Sequence, residues 1–259
     1  MDLGLTGRTY LVTGASSGVG LATAELLLGE GANVIACARD GVRLAQALEP
    51  LPRATGARVV AESCDVLDAE AVAGFVARAG ADLGGLDGVV NNAGRSLMAS
   101  VADTTAEQWR EEFDLKIFAV LNTVRAAEPY LRRSRAGAVV NVNAILARQP
   151  EPRLAATSAA RAALLNLTRT LAADLAPVRV NSVCLGLIDT GQWRRRFEAV
   201  GALSYEEWSA EVAADRGVAL GRLGRAEEVA YPIVALLSPR ASYITGSSID
   251  VGGGVARYV

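Results

Sequence analysis

The sequence contains no histidine and only one lysine, Lys116, beside 25 arginines. Without histidine, every mechanism that uses an imidazole as base, nucleophile or metal ligand is excluded. The three cysteines, Cys37, Cys64 and Cys184, form no CxxC pair and are an odd number, which argues against a disulfide framework and a zinc site. Such thiols suit a reducing compartment, so we expect a cytoplasmic protein that binds no metal.

Net charge and long hydrophobic runs are also scarce. The 26 basic residues nearly balance 28 acidic ones, so nothing in the net charge favours nucleic acid or an anionic membrane as partner. No run approaches the roughly 20 apolar residues that span a bilayer, and Met1–Leu5 does not resemble a signal peptide. Hydrophobic residues make up 51% of the chain but aromatics only 5%, which predicts an interior of Ala, Val and Leu.

Short apolar runs alternate with longer Ala- and Leu-rich stretches along the chain. Seven runs predict β-strands, at Thr9–Thr13, Asn33–Ala38, Ala57–Ser63, Gly88–Asn91, Ala138–Val142, Val178–Cys184 and Ser248–Val251. Helices are predicted between them, including Gly18–Leu28, Ala69–Ala79, Thr105–Leu131, Ala155–Ala176 and Ala226–Leu236. We therefore predict one doubly wound, Rossmann-type α/β domain over residues 1–259, with a seven-stranded parallel sheet and helices on both faces.

The segment 187–217 departs from this alternation, because it contains no predicted strand. It holds Trp193 and the run Arg194–Arg196. We interpret it as a helical substrate lid whose arginines could receive an anionic group of the substrate, the alternative being a solvated helix face. Arg95 and Arg148 follow the carboxyl ends of strands and are weaker candidates for the same role.

A glycine-rich loop, TGASSGVG, follows the first predicted strand and opens the first helix. Glycines there allow a tight turn and a close approach of the backbone to a pyrophosphate, toward which the helix directs free N–H groups. The spacing is Gly-x3-Gly-x-Gly, not the commoner Gly-x-Gly-x-x-Gly. The residues predicted to bind a dinucleotide here are Gly14, Ser16, Ser17, Gly18, Val19 and Gly20.

Further motifs strengthen this interpretation. With the loop, the segments Asn91–Gly94, Arg179–Val183 and Gly186-x3-Thr190 resemble the short-chain dehydrogenase/reductase family, over about residues 5–254. The resemblance implies an oxidoreductase that uses NAD(H) or NADP(H). It also implies further cofactor contacts, with the adenine for Asp65 and Val66, with the ribose for Asn92, Ala93 and Gly94, and with the nicotinamide carboxamide for Gly186, Ile188 and Thr190.

The end of the second predicted strand indicates which coenzyme is bound. A carboxylate there would accept hydrogen bonds from the ribose hydroxyls of NAD, but this chain has Ala38 followed by Arg39. An arginine can bind a 2′-phosphate bidentately. We therefore predict NADP(H) in preference to NAD(H), the alternative being that Arg39 is a solvated loop residue.

The catalytic residues of the family are not matched. The resemblance implies a Ser, a Tyr, a Lys and an Asn, and at the corresponding positions this chain has Ala144, Thr157, Arg161 and Lys116. Threonine cannot ionise as tyrosine does, and arginine can hold ribose hydroxyls but cannot relay protons. The loss of a general acid typically costs about 10² to 10⁴ in rate, whereas positioning alone can contribute about 7–11 kcal/mol.

Lys116 is the candidate for a replacement proton donor. A lysine that is desolvated beside the altered site would have a lowered pKa and could donate a proton, the alternative being a surface lysine. Asn143 and Ser158 are further candidates for substrate contacts, each with a structural alternative.

Three functions are therefore compatible with the sequence. The first is an NADP(H)-dependent oxidoreductase that acts on a small carbonyl or hydroxyl compound with a non-standard proton donor. The second is a catalytically silent NADP(H)-binding sensor or partner subunit, and the third is a non-redox enzyme, such as a lyase, on the same scaffold. The family resemblance also implies a homodimer or homotetramer that forms through the helices at 105–131 and 155–176.

Overall fold

The fold was analysed in a computed structural model that describes residues 2–201 and 204–258. Its strands are β1 (Thr9–Thr13), β2 (Asn33–Ala38), β3 (Val59–Ser63), β4 (Gly88–Asn91), β5 (Ala138–Ala144), β6 (Arg179–Leu185) and β7 (Ser248–Val251). They form one seven-stranded, all-parallel sheet in the order β3-β2-β1-β4-β5-β6-β7. The predicted fold class is confirmed.

Helices connect the strands, as the alternation predicts. They are α1 (Gly18–Gly29), α2 (Gly41–Leu48), α3 (Ala69–Leu83), α4 (Ala106–Phe113), α5 (Ala119–Leu131), α6 (Ala155–Asp174), α7 (Gly191–Val200), α8 (Tyr205–Asp215) and α9 (Ala226–Leu237). A π-helical turn, Asp114–Phe118, joins α4 to α5, so the predicted helix 105–131 is wider than an α-helix at its middle. None of the described helices is long and apolar enough to cross a membrane.

The side chains of each central strand alternate between two hydrophobic clusters, one on each face of the sheet. In β1, Leu11 packs with α3, α5 and α6, whereas Val12 packs with α1 and α9. Val89 and Val90 of β4 divide in the same way. Both faces are therefore buried, which explains why these strands consist almost entirely of apolar residues.

Some element ends differ from the prediction. β5 and β6 pair up to Ala144 and Leu185, because the register that begins at Ala138 and Arg179 continues without a break. Residue 57 lies in a turn closed by a bond from Ala57 N to Ala54 O, so β3 begins only at Val59.

The segment 187–217 contains α7 and α8 and a small aromatic cluster of its own. The rings of Trp193, Phe197, Tyr205 and Trp208 lie 5.3–6.1 Å apart by their centroids. Edge-to-face and tilted contacts of this kind stabilise a pair by roughly 0.5–1.5 kcal/mol beyond the buried area. The two helices therefore pack on each other through aromatic side chains, which are otherwise scarce in this chain.

Replacement of one core leucine tests the packing. We expect Leu27→Ala to lower the free energy of unfolding by about 2–5 kcal/mol, because Leu27 is 0% exposed and its loss leaves a cavity between α1 and the sheet. Leu220→Ala is the matched control, because Leu220 is 67% exposed. Urea denaturation measures both variants, and similar losses in the two would contradict this description of the core.

Candidate functional site

A cavity of about 900 Å³ lies at the carboxyl ends of the strands and is named the main cavity here. It extends across the gap between β1 and β4, where the strand order reverses direction. Ligands of doubly wound sheets bind at this place, because the loops from the two halves of the sheet separate there.

The glycine-rich loop lines one wall of the main cavity and leaves no room for side chains. A Cβ atom on Gly20 would lie 2.4 Å from Gly14 O, and one on Gly14 would lie 2.9 Å from Ala93 Cα. Asn92 Nδ2 donates hydrogen bonds to Thr13 O at 3.0 Å and to Gly14 O at 3.2 Å, and so joins the loop to the end of β4. Ser17 is the N-cap of α1 but makes no side-chain capping bond. The sequence-predicted residues Gly14, Ser16, Ser17, Gly18 and Val19 line the cavity.

The far end of the main cavity is lined by Arg39, Asp40, Asp65 and Val66. The carboxylate of Asp40 accepts a hydrogen bond from Arg43 N at 3.0 Å and caps α2. It is thus already engaged as a helix cap. The carboxylate of Asp65 accepts one from Leu67 N at 3.0 Å. Among the described residues, Arg39 makes no ion pair with a carboxylate.

The opposite end of the cavity contains the segment after β6. The remaining predicted cofactor contacts, Asn92, Ala93, Gly94, Gly186, Ile188 and Thr190, also line the cavity. A Cβ on Gly186 would lie 2.8 Å from Gly252 Cα, so a glycine is required at this position. The residue before it in the chain is Leu185.

Arg161 is a half-buried cation that faces the main cavity. Its Nη1 donates to Val142 O at 2.6 Å, and its Nε is buried without a hydrogen-bond partner. Burial lowers the pKa of Arg161, and the nearby Glu112 carboxylate opposes that shift. The pKa of an arginine is so high that the guanidinium stays charged. Ala144, at the end of β5, also lines the cavity and offers no side-chain donor.

Lys116 and Thr157 lie behind the cavity wall. Lys116 Nζ lies 2.7 Å from Glu112 Oε2 and donates to Arg95 O at 2.8 Å. The Thr157 hydroxyl donates to Glu112 Oε2 and accepts from Leu97 N at 3.0 Å. Of the described residues, those lining the cavity include neither Lys116 nor Thr157.

The buried carboxylate of Glu112 organises this group, and sequence reasoning missed it. Both partners of the pair Glu112–Lys116 have side chains that are only 2% exposed. Burial lowers the pKa of Lys116 to about 8, although the hydrogen bond that Lys116 donates to Glu112 acts in the opposite direction. The spacing of four residues on a predicted helix is the signal that could have revealed the pair.

The three consecutive arginines of α7, Arg194–Arg196, have different surroundings. Arg194 pairs with Asp189 at 3.2 Å and lies over the ring of Tyr205, whose hydroxyl also donates to Asp189. Burial and Asp189 raise the pKa of Tyr205 to about 12. Arg195 and Arg196 line the main cavity.

The other candidate substrate contacts are held by internal bonds. Arg95 pairs with Glu111 at 2.6 Å and Arg148 with Asp250 at 3.3 Å. Asn143 Nδ2 donates to Arg161 O at 3.0 Å, and the Ser158 hydroxyl accepts from the backbone of the loop before α6 at 3.4 Å. None of the described residues form a group of three or more His, Cys, Asp or Glu side chains suited to a metal ion.

Comparisons with known proteins agree with this architecture. A family model described as enoyl-(acyl carrier protein) reductase matches residues 14–256. Human dehydrogenase/reductase SDR family member 4 is 34% identical over 253 residues, which cover 96% of this chain and 88% of the human protein. The chain belongs to the short-chain dehydrogenase/reductase family.

Solved structures include similar members of the short-chain dehydrogenase/reductase family. The apo structure of a short-chain oxidoreductase from Pseudomonas aeruginosa, described as containing an atypical catalytic center, is 48% identical with a TM-score of 0.95, and covers 98% of this chain and 99% of its own. An NADPH-bound structure of such an enzyme from the same strain has a TM-score of 0.93, at the same identity and coverage. L-sorbose reductase from Gluconobacter frateurii, complexed with NADPH and L-sorbose, is 31% identical with a TM-score of 0.95, and both chains are fully covered.

Two glycines of α1 test the close approach at the glycine-rich loop. We expect Gly20→Ala to lower the melting temperature, because its Cβ would meet Gly14 O at 2.4 Å. Gly29→Ala is the control on the same helix, since nothing lies within 4 Å of a Cβ there. It should be neutral or stabilising by up to about 1 kcal/mol. An unchanged melting temperature in Gly20→Ala would contradict the described contact.

A double-mutant cycle tests the buried ion pair. Lys116→Met leaves the Glu112 carboxylate buried without its counter-ion, and we expect a loss of about 3–5 kcal/mol in the free energy of unfolding. Glu112→Gln combined with Lys116→Met removes both charges and should lose less than the sum of the single variants. Urea denaturation of the four proteins gives the coupling energy, and purely additive losses would argue against the pair.

Proposed function

We propose that this chain is an NADP(H)-dependent oxidoreductase that acts on a small, anionic carbonyl or hydroxyl compound. The observation that carries the proposal is the glycine-rich loop, which lines the main cavity where α1 begins and whose glycines leave no room for a Cβ atom. The free N–H groups of a helix N-terminus beside such a loop are suited to the pyrophosphate of a dinucleotide. The relatives from P. aeruginosa and G. frateurii with bound NADPH support the same coenzyme.

The residues around the cavity fit a dinucleotide. The backbone of the glycine-rich loop would hold the pyrophosphate, Asp65 and Val66 the adenine, and Asn92–Gly94 with Arg161 the nicotinamide ribose. Gly186, Ile188 and Thr190 would hold the carboxamide. Asp40 is engaged as a helix cap, and Arg39, which lines this end of the cavity, is our candidate to meet a 2′-phosphate. A bound coenzyme would supply the redox chemistry, as hydride donor when it is reduced and as hydride acceptor when it is oxidised.

The chain's own residues would contribute mainly by positioning. By the family resemblance, Thr157, Ala144, Arg161 and Lys116 occupy the positions of the tyrosine, serine, lysine and asparagine. Arg161 carries a fixed charge that holds ribose hydroxyls and stabilises negative charge nearby. Holding two reactants in place can itself contribute about 7–11 kcal/mol.

Lys116 stays our candidate proton source. Its lowered pKa, about 8, allows it to release a proton near neutral pH. The Thr157 hydroxyl shares the Glu112 carboxylate with the Lys116 ammonium, so the three groups form one hydrogen-bonded chain behind the cavity wall. In this proposal a proton reaches the cavity only after the Thr157 hydroxyl turns toward it.

The anionic substrate is proposed from the segment 187–217, which we propose acts as the substrate lid. Arg196 is half-buried, lines the main cavity and lies 4.5 Å from the ring centroid of Trp193. The described ion pairs of the chain give it no carboxylate partner. A guanidinium held by an aromatic ring is well suited to a carboxylate of the substrate.

Two further expectations belong to the proposal. The three cysteines are free, buried thiols, which fits a reducing cytoplasm.

The side chain of Phe118, at the junction of α4 and α5, is 53% exposed and lies within the region through which we expect a homodimer or homotetramer to form. Light scattering tests the association.

A second candidate is a silent NADP(H)-binding protein, such as a sensor or partner subunit. It is favoured by the Thr157 hydroxyl, which is held by Glu112 and Leu97 away from the cavity. Absorbance at the NADPH band during mixing with a panel of small keto acids and ketones separates the candidates. Substrate-linked oxidation supports the enzyme, and binding without oxidation supports the sensor. Turnover of a substrate with the coenzyme unchanged would favour a non-redox enzyme.

The coenzyme preference is tested by one substitution. We expect Arg39→Gln to weaken NADPH binding roughly 10- to 100-fold, because a charge-assisted bond to the 2′-phosphate is lost, and to leave NADH binding within about threefold. Calorimetry with both coenzymes measures the ratio. Arg135→Gln, at an exposed arginine that does not line the cavity, is the control and should leave both affinities unchanged. An unchanged ratio in Arg39→Gln would contradict the assigned role of Arg39.

A further inference from the structure

The three consecutive arginines of α7 do not share one environment. Arg194 is committed to Asp189 and to the ring of Tyr205. Arg196 lies over Trp193, toward the substrate end of the cavity. Arg195 turns back along its own helix, so that its Nη1 lies 3.3 Å from the place where a Cβ on Gly191 would stand.

The first turn of α7 lies directly against the glycine-rich loop. A Cβ on Gly18 would be 3.4 Å from Thr190 Cγ2. Gly14, Ser17, Gly18, Thr190, Gly191 and Arg195 line the same cavity. The guanidinium of Arg195 is therefore carried to the point where α7 and the loop meet, on the side where a dinucleotide would place its diphosphate.

Without Arg195, neither the glycine-rich loop nor the first turn of α1 would place a positively charged side chain beside the diphosphate. The loop TGASSGVG carries no ionisable side chain, and the first turn of α1 contains no basic or acidic residue. Backbone N–H groups alone would face the two negative charges of a diphosphate. In the described parts of the chain, Arg195 is exposed and makes no ion pair with a carboxylate. A guanidinium is the side chain best matched to phosphate oxygens.

We propose that Arg195 is a ligand of the coenzyme diphosphate, contributed by the segment 187–217. This inference rests on the proposed binding of NADP(H) but names a contact that the family motifs do not include. It assigns separate tasks to the three neighbours: Arg194 anchors α7, Arg195 binds the coenzyme and Arg196 faces the substrate. The bound diphosphate would then add a charged contact to the existing one between α7 and the glycine-rich loop.

The position of the contact on the coenzyme gives the test. NADPH and NADH carry the same diphosphate, so Arg195→Gln should weaken the binding of both by a similar factor, roughly 10- to 100-fold. Arg39→Gln should weaken only NADPH. Calorimetric titration of the full chain with each coenzyme measures all four dissociation constants without any substrate, and thermal unfolding of the free proteins confirms that the variants fold.

Matched variants complete the design. Arg153→Gln removes an exposed arginine that does not line the main cavity and should leave both affinities within about threefold. Arg195→Lys should recover part of the loss, because the charge is kept and the fork geometry is not. With Arg195→Gln the salt dependence of coenzyme binding should also become shallower.

Three results would overturn the inference. They are wild-type affinity of Arg195→Gln for both coenzymes, weakening of NADPH alone, and an equal effect of Arg153→Gln. If the unaltered chain binds neither coenzyme, it is the proposed function that fails.

Discussion

The contact between the glycine-rich loop and the end of β4 is the constraint on which the rest of the site depends. Gly14 and Gly20 approach each other and Ala93 so closely that no side chain fits, and Asn92 binds the loop carbonyls from the other strand. The cavity begins where this contact ends. Because Gly14 and Gly18 line the cavity there without side chains, the loop can present backbone N–H groups and a helix end to a ligand.

A second constraint is electrostatic. Lys116 is buried and Arg161 is half-buried, and Glu112 is the carboxylate that offsets both charges. Buried charges are expensive to desolvate, so such a group persists only where its geometry satisfies most of its hydrogen bonds. Lys116 meets this condition through Glu112 and Arg95 O, whereas the Nε of Arg161 has no partner. Arg161 also lines the cavity and Lys116 does not, so the two cations differ in their access to a ligand.

Most of the fold could be predicted from the sequence, because the spacing of apolar residues and the residues that end each strand or helix are local features of the chain. The strands Thr9–Thr13, Asn33–Ala38 and Gly88–Asn91 agree to the residue with the structure. The end of β5 could not be predicted, because its last two residues are strand only through their pairing with β6.

The site was less predictable than the fold. The loop residues were predicted from the motif and its place after the first strand, and all of them except Gly20 line the cavity. Their contact with a coenzyme stays a prediction. The environment of Lys116 was not predictable, since it depends on Glu112, on a carbonyl of the loop after β4 and on a π-helical turn that shifts the helix register. In the same way, the sequence does not distinguish the three consecutive arginines of α7. Their different environments depend on tertiary neighbours such as Asp189 and Trp193.

The aromatic cluster of α7 and α8 has an evolutionary consequence. Trp193, Phe197, Tyr205 and Trp208 hold these two helices together mainly through one another. A unit with its own small core can change its outward-facing residues with little effect on the layers of the sheet. Selection for a new reactant can therefore act on α7 and α8 without changing the glycine-rich loop and the sheet. The two parts of one domain can then diverge at different rates.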